Sequence, residues 1–319
     1  MTNVESTRHN NLQARIENIF GNGAGQSGYG QSVASYAVSN QPNANNVIIS
    51  AADINSLYID MIKARAHQTG VETTEIMQVL TEGVQRNIVA EDDSNIDDGT
   101  GNIVEDPNGD AKGIIDYEEL MTKIEIDKFE IFTGALETGI SSVRTQQWNG
   151  LIYHEITVTF SNADNRRHFF NSGGEIRFSA NNSGAIGTKG QDWNAMLGDV
   201  GVVKLNYNET SSTIPGSGGV TVNPIGNYDL TSAYQTIYQK IGQGTFSGIY
   251  AGNIYLIKAR EVSQSQLQFR IEFNDVVTDN DVDNDVDGTL LSTVQQYRAD
   301  TDFVRVAGPA YANNVSLGS

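Results

Sequence analysis

The 319-residue chain carries 39 acidic against 20 basic residues, a net charge of −19, and it has no cysteine. That balance repels nucleic-acid phosphates and argues against a nucleic-acid partner, and the missing thiols exclude disulfides, thiolate catalysis and cysteine-ligated zinc together. With 38% hydrophobic residues, 32 glycines and no run of about 20 apolar residues, the composition describes a loop-rich protein with a real core and no membrane insertion.

The opening MTNVESTRHNNLQ lacks the basic and apolar pattern of a secretory leader, so synthesis and folding in a cytoplasm are expected. Residues 1–46 pair a short helical stretch, Leu12 to Phe20, with GNGAGQSGYGQSVASYAVSNQPNANN. Gly, Ser, Asn and Gln at this density leave few apolar anchors, and the segment reads as an arm, either flexible or ordered by docking on a neighbouring subunit. Residues 47–90 read as a helical hairpin. Ser50 is a candidate N-cap, and Ile54, Leu57, Tyr58, Met61 and Ile62 fall on one face up to Gly70. A second helical pattern, Thr74 to Val89, puts Ile76, Met77, Leu80, Val84 and Ile88 on one side. His67, near the end of the first helix, is placed where a cation complements the helix dipole.

Residues 91–120 form an acidic insertion. Asp106, Asn108 and Asp110 alternate as the first ligands of a Ca²⁺ loop do, and Glu119 echoes a later one. An EF-hand needs its glycine directly after the third ligand, whereas Ala111 and Lys112 intervene, so a solvated acidic loop stands beside the ion-site reading. IEIDKFEIF, Ile124 to Phe132, alternates cleanly and predicts a strand.

Residues 121–319 read as an antiparallel β-rich module, and the whole as α+β, mainly β: an arm and helical hairpin followed by a sandwich-like domain. Its centre is Tyr153 to Ala180, read as two strands joined in a hairpin through turn residues Asn162–Asn165 and Asn171–Gly174. Further strands are expected over Gly201–Asn206, Asn253–Glu261 and Leu267–Asn274, with a short helix over Asp192–Gly198. Thr231 to Ile241 places Tyr234, Ile237, Tyr238 and Ile241 on one helical face, with a strand as the alternative. Glu209 to Val220 reads as a loop.

The strongest cation pattern is DVDNDVDGTLL, where Asp283, Asp285 and Asp287 occupy alternate positions before Gly288. Carboxylates this dense need either a hard divalent ion, Ca²⁺, or full hydration, and Val294 stands where the bidentate Glu of an EF-hand belongs. No catalytic residues are assigned: His9, His67, His154 and His168 each lack a neighbouring nucleophile motif, and Gly173–Gly174 lack the Lys and Ser/Thr of a phosphate loop. His154 reads as a core or interface histidine. Trp148 and Trp193 are candidates for stacking on a host-surface glycan, against a plain core role.

The segments YGQSVASYAVS, ISAADINSLYIDMIKARAHQTG, TVTFSNADNRRHFFNSGGEIRFSA, DWNAMLGDVG and VDGTL, in this order, resemble a family of virion structural proteins of contractile-tailed cyanophages. The resemblance implies a non-enzymatic, multi-copy component of the neck, tail or fibre apparatus. It would assemble with itself and with other virion proteins after synthesis in the host cytoplasm, its 1–46 arm aiding assembly. A head decoration or head-fibre protein and a receptor-binding protein are the alternatives.

Overall fold

The computed structural model describes residues 6–21, 28–31, 51–70, 114–215, 218–277 and 283–318. Most of the arm, the helix expected over Thr74–Val89, and Asp106, Asn108 and Asp110 lie outside these residues. The fold is α+β and mainly β, with helices first and two antiparallel sheets after them. Two compact units divide the chain: 1–134 with 167–173 and 299–306, and 135–166 with 174–298 and 307–319.

Among its described residues the first unit holds α1 (Ser6–Phe20), α2 (Ala51–Thr69) and α3 (Ile114–Ile126), with the end of a later helix. Each forms because its apolar residues recur at helical spacing. Leu12, Ile16, Ile19 and Phe20 are buried on α1, Leu57, Tyr58, Met61 and Ala64 on α2, and Leu120, Met121 and Ile124 on α3. Each Leu, Ile, Phe or Met among them contributes about 1.5–3 kcal/mol when fully buried. Along the outside, Arg8 forks onto Glu118 at 2.8 and 2.6 Å and Arg15 onto Glu125 at 2.9 and 2.7 Å. Equal steps along both helices mean that α1 and α3 run parallel.

The strand expected over Ile124–Phe132 is not formed. Ile124 lies in the last turn of α3 on the stripe begun by Leu120 and Met121, while Ile126 and Phe132, within the same expected strand, are 70% and 64% exposed. Burial followed the 3.6 period, and the period-2 pattern in the same letters had no core to face.

His67 is also corrected. Its ring is wholly buried, edge-on to Tyr29 at 4.8 Å, with Nε2 3.2 Å from the Ser172 carbonyl. A carbonyl only accepts, so Nε2 carries the proton. Burial pulls the group down to about 4, and His67 is neutral rather than a dipole-complementing cation. Beside it, Gln68 Nε2 donates to Ile124 O at 2.8 Å and to Tyr29 Oη at 3.0 Å, tying α2 to the end of α3.

The second unit is sandwich-like. One sheet has the order β1 (Gly134–Arg144), β10 (Thr289–Ala299), β3 (Glu175–Ser183), β4 (Val203–Leu205), β5 (Thr210–Ser212). The other runs β11 (Ala310–Val315), β2 (Gly150–Thr159), β9 (Gln266–Asp275), β8 (Ile254–Ser263), β7 (Gln235–Ile241), β6 (Val220–Val222). Alternate residues face inward. Ile156 and Val158 of β2 sit opposite Phe269 and Leu267 of β9, and Ile271 and Phe273 sit opposite Ile257 and Tyr255 of β8, all buried. Phe178 of β3 meets Phe269 across the sandwich at 4.9 Å between ring centroids.

The expected hairpin at Tyr153–Ala180 is overturned. β2 and β3 belong to different sheets, and residues 163–171 between them form helix α4 (Ala163–Asn171). Asn162, read as a turn residue, is the N-cap, its Oδ1 accepting from Asn165 N at 2.8 Å. Gly173, at φ +84, ends the helix in the left-handed conformation, where a Cβ would come within 2.6 Å of the Ile131 side chain. The turn residues were rightly located, but they start and stop a helix.

Over Thr231–Ile241 the structure takes the strand alternative. A bulge between Thr236 and Tyr238 buries the consecutive residues Ile237 and Tyr238, and this break in alternation mimicked a helical face. The expected loop Glu209–Val220 contains β5. The helix expected over Asp192–Gly198 is present as α5 (Thr188–Gly198).

Candidate functional site

Two polar constellations in the second unit bring titratable side chains together. The first surrounds the N-terminus of α5. The N-cap, Gly187, has no side chain to satisfy the first amides. Aspartates remote in sequence do it instead. Asp287 Oδ2 accepts from Ile186 N at 2.8 Å and Gly187 N at 3.0 Å, and Asp283 Oδ2 accepts from Lys189 N at 3.2 Å. A negative charge here also complements the helix dipole. Gly190 is required by close approach, since a Cβ there would overlap Asp287 Oδ1.

The loop that carries these aspartates is fixed by neighbouring segments of the same chain. Trp148 and Val286 exchange backbone bonds at 3.2 and 2.7 Å, and Asn149 Nδ2 donates to Asn284 O at 2.6 Å. Asp283 N donates to Tyr250 Oη at 3.2 Å. Farther along α5, Asp192 accepts from Phe246 N at 2.7 Å and Ser247 N at 3.1 Å.

Of the sequence-identified trio, Asp283 and Asp287 are thus brought to one helix end, while Asp285 is exposed. Glu119 is exposed on α3. Among the described residues no three His, Cys, Asp or Glu side chains gather as a metal would need. In this geometry the acidic loop works as a helix cap.

Beneath the cap lies an ion pair that sequence reading missed. Lys189 Nζ is 2.7 Å from Asp275 Oδ2, and both side chains are 0% exposed. The same nitrogen donates to Val277 O at 2.6 Å and to Asn284 O at 2.9 Å, so two of its three protons are held by backbone carbonyls beside the ion pair. Burial pushes the Asp275 carboxyl upward, and Lys189 pulls it back. Asn253 Oδ1 holds Val276 N at 3.0 Å, fixing the chain at the end of β9. Nothing in GTKGQDW marks Lys189 as buried, because its partners arrive from Asp275 onward.

The second constellation crosses the sandwich. His154 Nδ1 lies 3.0 Å from Ser292 Oγ and Nε2 lies 2.7 Å from Asn313 Oδ1, joining β2, β10 and β11. The amide oxygen only accepts, so Nε2 carries the proton and Nδ1 accepts from the serine. The order hydroxyl, imidazole, amide is that of a nucleophile, base and orienting group. Its setting differs: Ser292 and His154 are wholly buried, and Ser292 lies in a regular register opposite Ala180, without a strand-to-helix elbow. Burial lowers the pKa of His154, and its role here is that of a core histidine, as expected.

The tryptophans pack edge to face at 4.8 Å, only 5% and 1% exposed, and Trp193 also packs near Phe273. Neither presents a face to a sugar, which corrects the glycan-stacking expectation for this pair. On the outer face of the six-stranded sheet Arg270 covers Tyr153 at 3.8 Å and Arg260 covers Tyr234 at 4.6 Å.

No protein-family model, curated protein or solved structure matches the chain.

Proposed function

We propose that the protein is a non-enzymatic, multi-copy structural subunit of a phage particle, a component of its neck, tail or fibre apparatus. The observation that carries this reading is the run FFNSGGEIRFSA, the most distinctive of the segments resembling cyanophage virion proteins. Its residues are framework: Phe169 and Phe170 are buried, Gly173 ends α4, and Ile176 and Phe178 line the inner face of β3. Such a run supports a fold, as suits a subunit whose task is to hold shape.

Further support comes from β1, an edge strand that carries Glu137 and Arg144 and is met by Leu317 at Ser142 and Arg144, yet leaves Leu136 and Val143 about half exposed. Edges are ordinarily blunted by charge or proline, or else covered, and it is the remaining apolar exposure that calls for a partner. A neighbouring copy or another virion protein would provide the cover, and the 1–46 arm would help in assembly.

Immunogold labelling of purified particles tests the assignment, with label expected at the neck, tail or fibres. Light scattering on the eluting recombinant chain tests self-association. A protein absent from particles and monomeric at all concentrations would refute the proposal. Unchanged oligomerisation and particle incorporation after deletion of 1–46 would remove the arm's part in it.

A further inference from the structure

We propose that Lys189 and Asp275 join in an intramolecular isopeptide bond, a covalent amide between Nζ and Cγ that ties the first turn of α5 to the end of β9. The inference rests on geometry. The amine and carboxyl are in contact at 2.7 Å with both side chains wholly buried, and neither can leave without unpacking the end of the sandwich. This arrangement supplies the proximity and orientation of an intramolecular reaction.

The three acceptors around Nζ define how the amine would react. Val277 O and Asn284 O hold two of its protons, leaving the third for Asp275, whose carboxylate lies 2.7 Å from the nitrogen. Transfer of that proton to the carboxylate gives a neutral amine and a neutral acid. The remaining two N–H groups stay bonded to the carbonyls, and the freed lone pair faces the carboxyl group. Burial disfavours the charged pair and so favours this transfer. The raised carboxyl of Asp275 agrees in direction.

Nζ then attacks Cγ, a second proton passes from nitrogen to the departing oxygen, and the tetrahedral intermediate collapses. One N–C bond forms, one C–O bond breaks, and one water leaves; ammonium plus carboxylate becomes amide plus water. No oxidant, reductant or outside reagent is consumed. The dry surroundings oppose the reverse hydrolysis.

The test is made on the full-length chain, freshly purified and again after prolonged incubation. Its intact mass, corrected for any removal of Met1, is expected to be lighter than the sequence mass by one water molecule. Digestion with trypsin after denaturation is expected to yield one branched species, joining peptide 178–204, uncut after Lys189, to peptide 271–298. The Lys189→Arg variant, if it folds, is expected to keep its full sequence mass. A wild-type chain of full mass with both peptides separate overturns the proposal. Loss of water with trypsin still cleaving after Lys189 also overturns it, because it assigns the loss to ring closure at an Asp-Gly step such as Asp287–Gly288.

Discussion

The helical unit and the sandwich bury charge to different depths. In the first, Arg8–Glu118 and Arg15–Glu125 run along the outside of α1 and α3, each side chain a quarter or more exposed, buried Arg65 pairs at 2.6 Å with Asp127, whose side chain is still 21% exposed, and the buried His67 is neutral. In the second, Lys189 and Asp275 are fully enclosed, and buried Arg166 is spread over Asn227, Glu261 and the carbonyl of Ser263. Helices can keep charge at the surface because their backbone bonds are satisfied within the segment. A sandwich whose loops fold over its ends must bury carbonyls and amides, and it brings charged side chains inside to satisfy them. Surface pairs tune such a protein; interior ones hold it together.

The largest effect expected from breaking that contrast comes from Lys189→Met, which strands the Asp275 carboxylate. Removing one partner of a buried pair costs about 3–5 kcal/mol, to be read as a fall in denaturation midpoint at unchanged slope. Next comes pH. The folded chain holds His67 at about 4, against about 6.5 when unfolded. The imidazole is buried neutral, so its contribution is fully present above the unfolded value. As pH falls from about 6.5 toward 4 the unfolded chain takes up a proton that the folded chain refuses, and stability drops by on the order of 3 kcal/mol. Equilibrium unfolding across this range should show a steeper loss in the wild type than in His67→Gln, whose amide still donates. Equal slopes would mean that the histidine is accessible.

Smaller again is Asp287→Ala. Losing a helix cap costs about 0.5–2 kcal/mol, and thermal melts should show it. The same melts sharpen the role of the acidic loop: a cap leaves the melting temperature unchanged on adding Ca²⁺, whereas chelation raises it and EDTA reverses the gain. The smallest effect is expected for Arg15→Ala, about 0.2–1 kcal/mol and shrinking with added salt. A loss as large as that of Lys189→Met would erase the distinction between the two units.

What could be read from the letters follows the range of the forces involved. Helix α2, strands β2, β8 and β9 and the helix within Thr188–Gly198 were legible because a single period repeats without interruption, as in Leu267, Phe269, Ile271 and Phe273. Misreadings came where two periods coexist in one string. Ile124 satisfies an alternation with Ile126 and a helical stripe with Leu120, and only the available core decides between them. At β7 one bulge disguised a strand. β10 is hard to see in the sequence because its polar inward residues, Ser292 and Gln296, blur the alternation of Leu290 and Val294. Of the site, the aspartates were visible, but their work was not. Capping α5 from Asp283 and Asp287 and pairing Asp275 with Lys189 depend on residues brought together from far along the chain.

Gly173 and its neighbours have a further bearing on how the gene could be cut. The first unit is assembled from three separated stretches, 1–134, 167–173 and 299–306. A fragment ending at 134 would keep α1, α2 and α3 but lose the Ser172 carbonyl that receives the His67 proton and the Gly173 turn beside Ile131. It would also lose Arg305, whose carbonyl accepts from Gln31 Nε2 at 3.0 Å. The helical unit is therefore no portable module. Any transplant of it has to carry residues 167–173 and 299–306 as well.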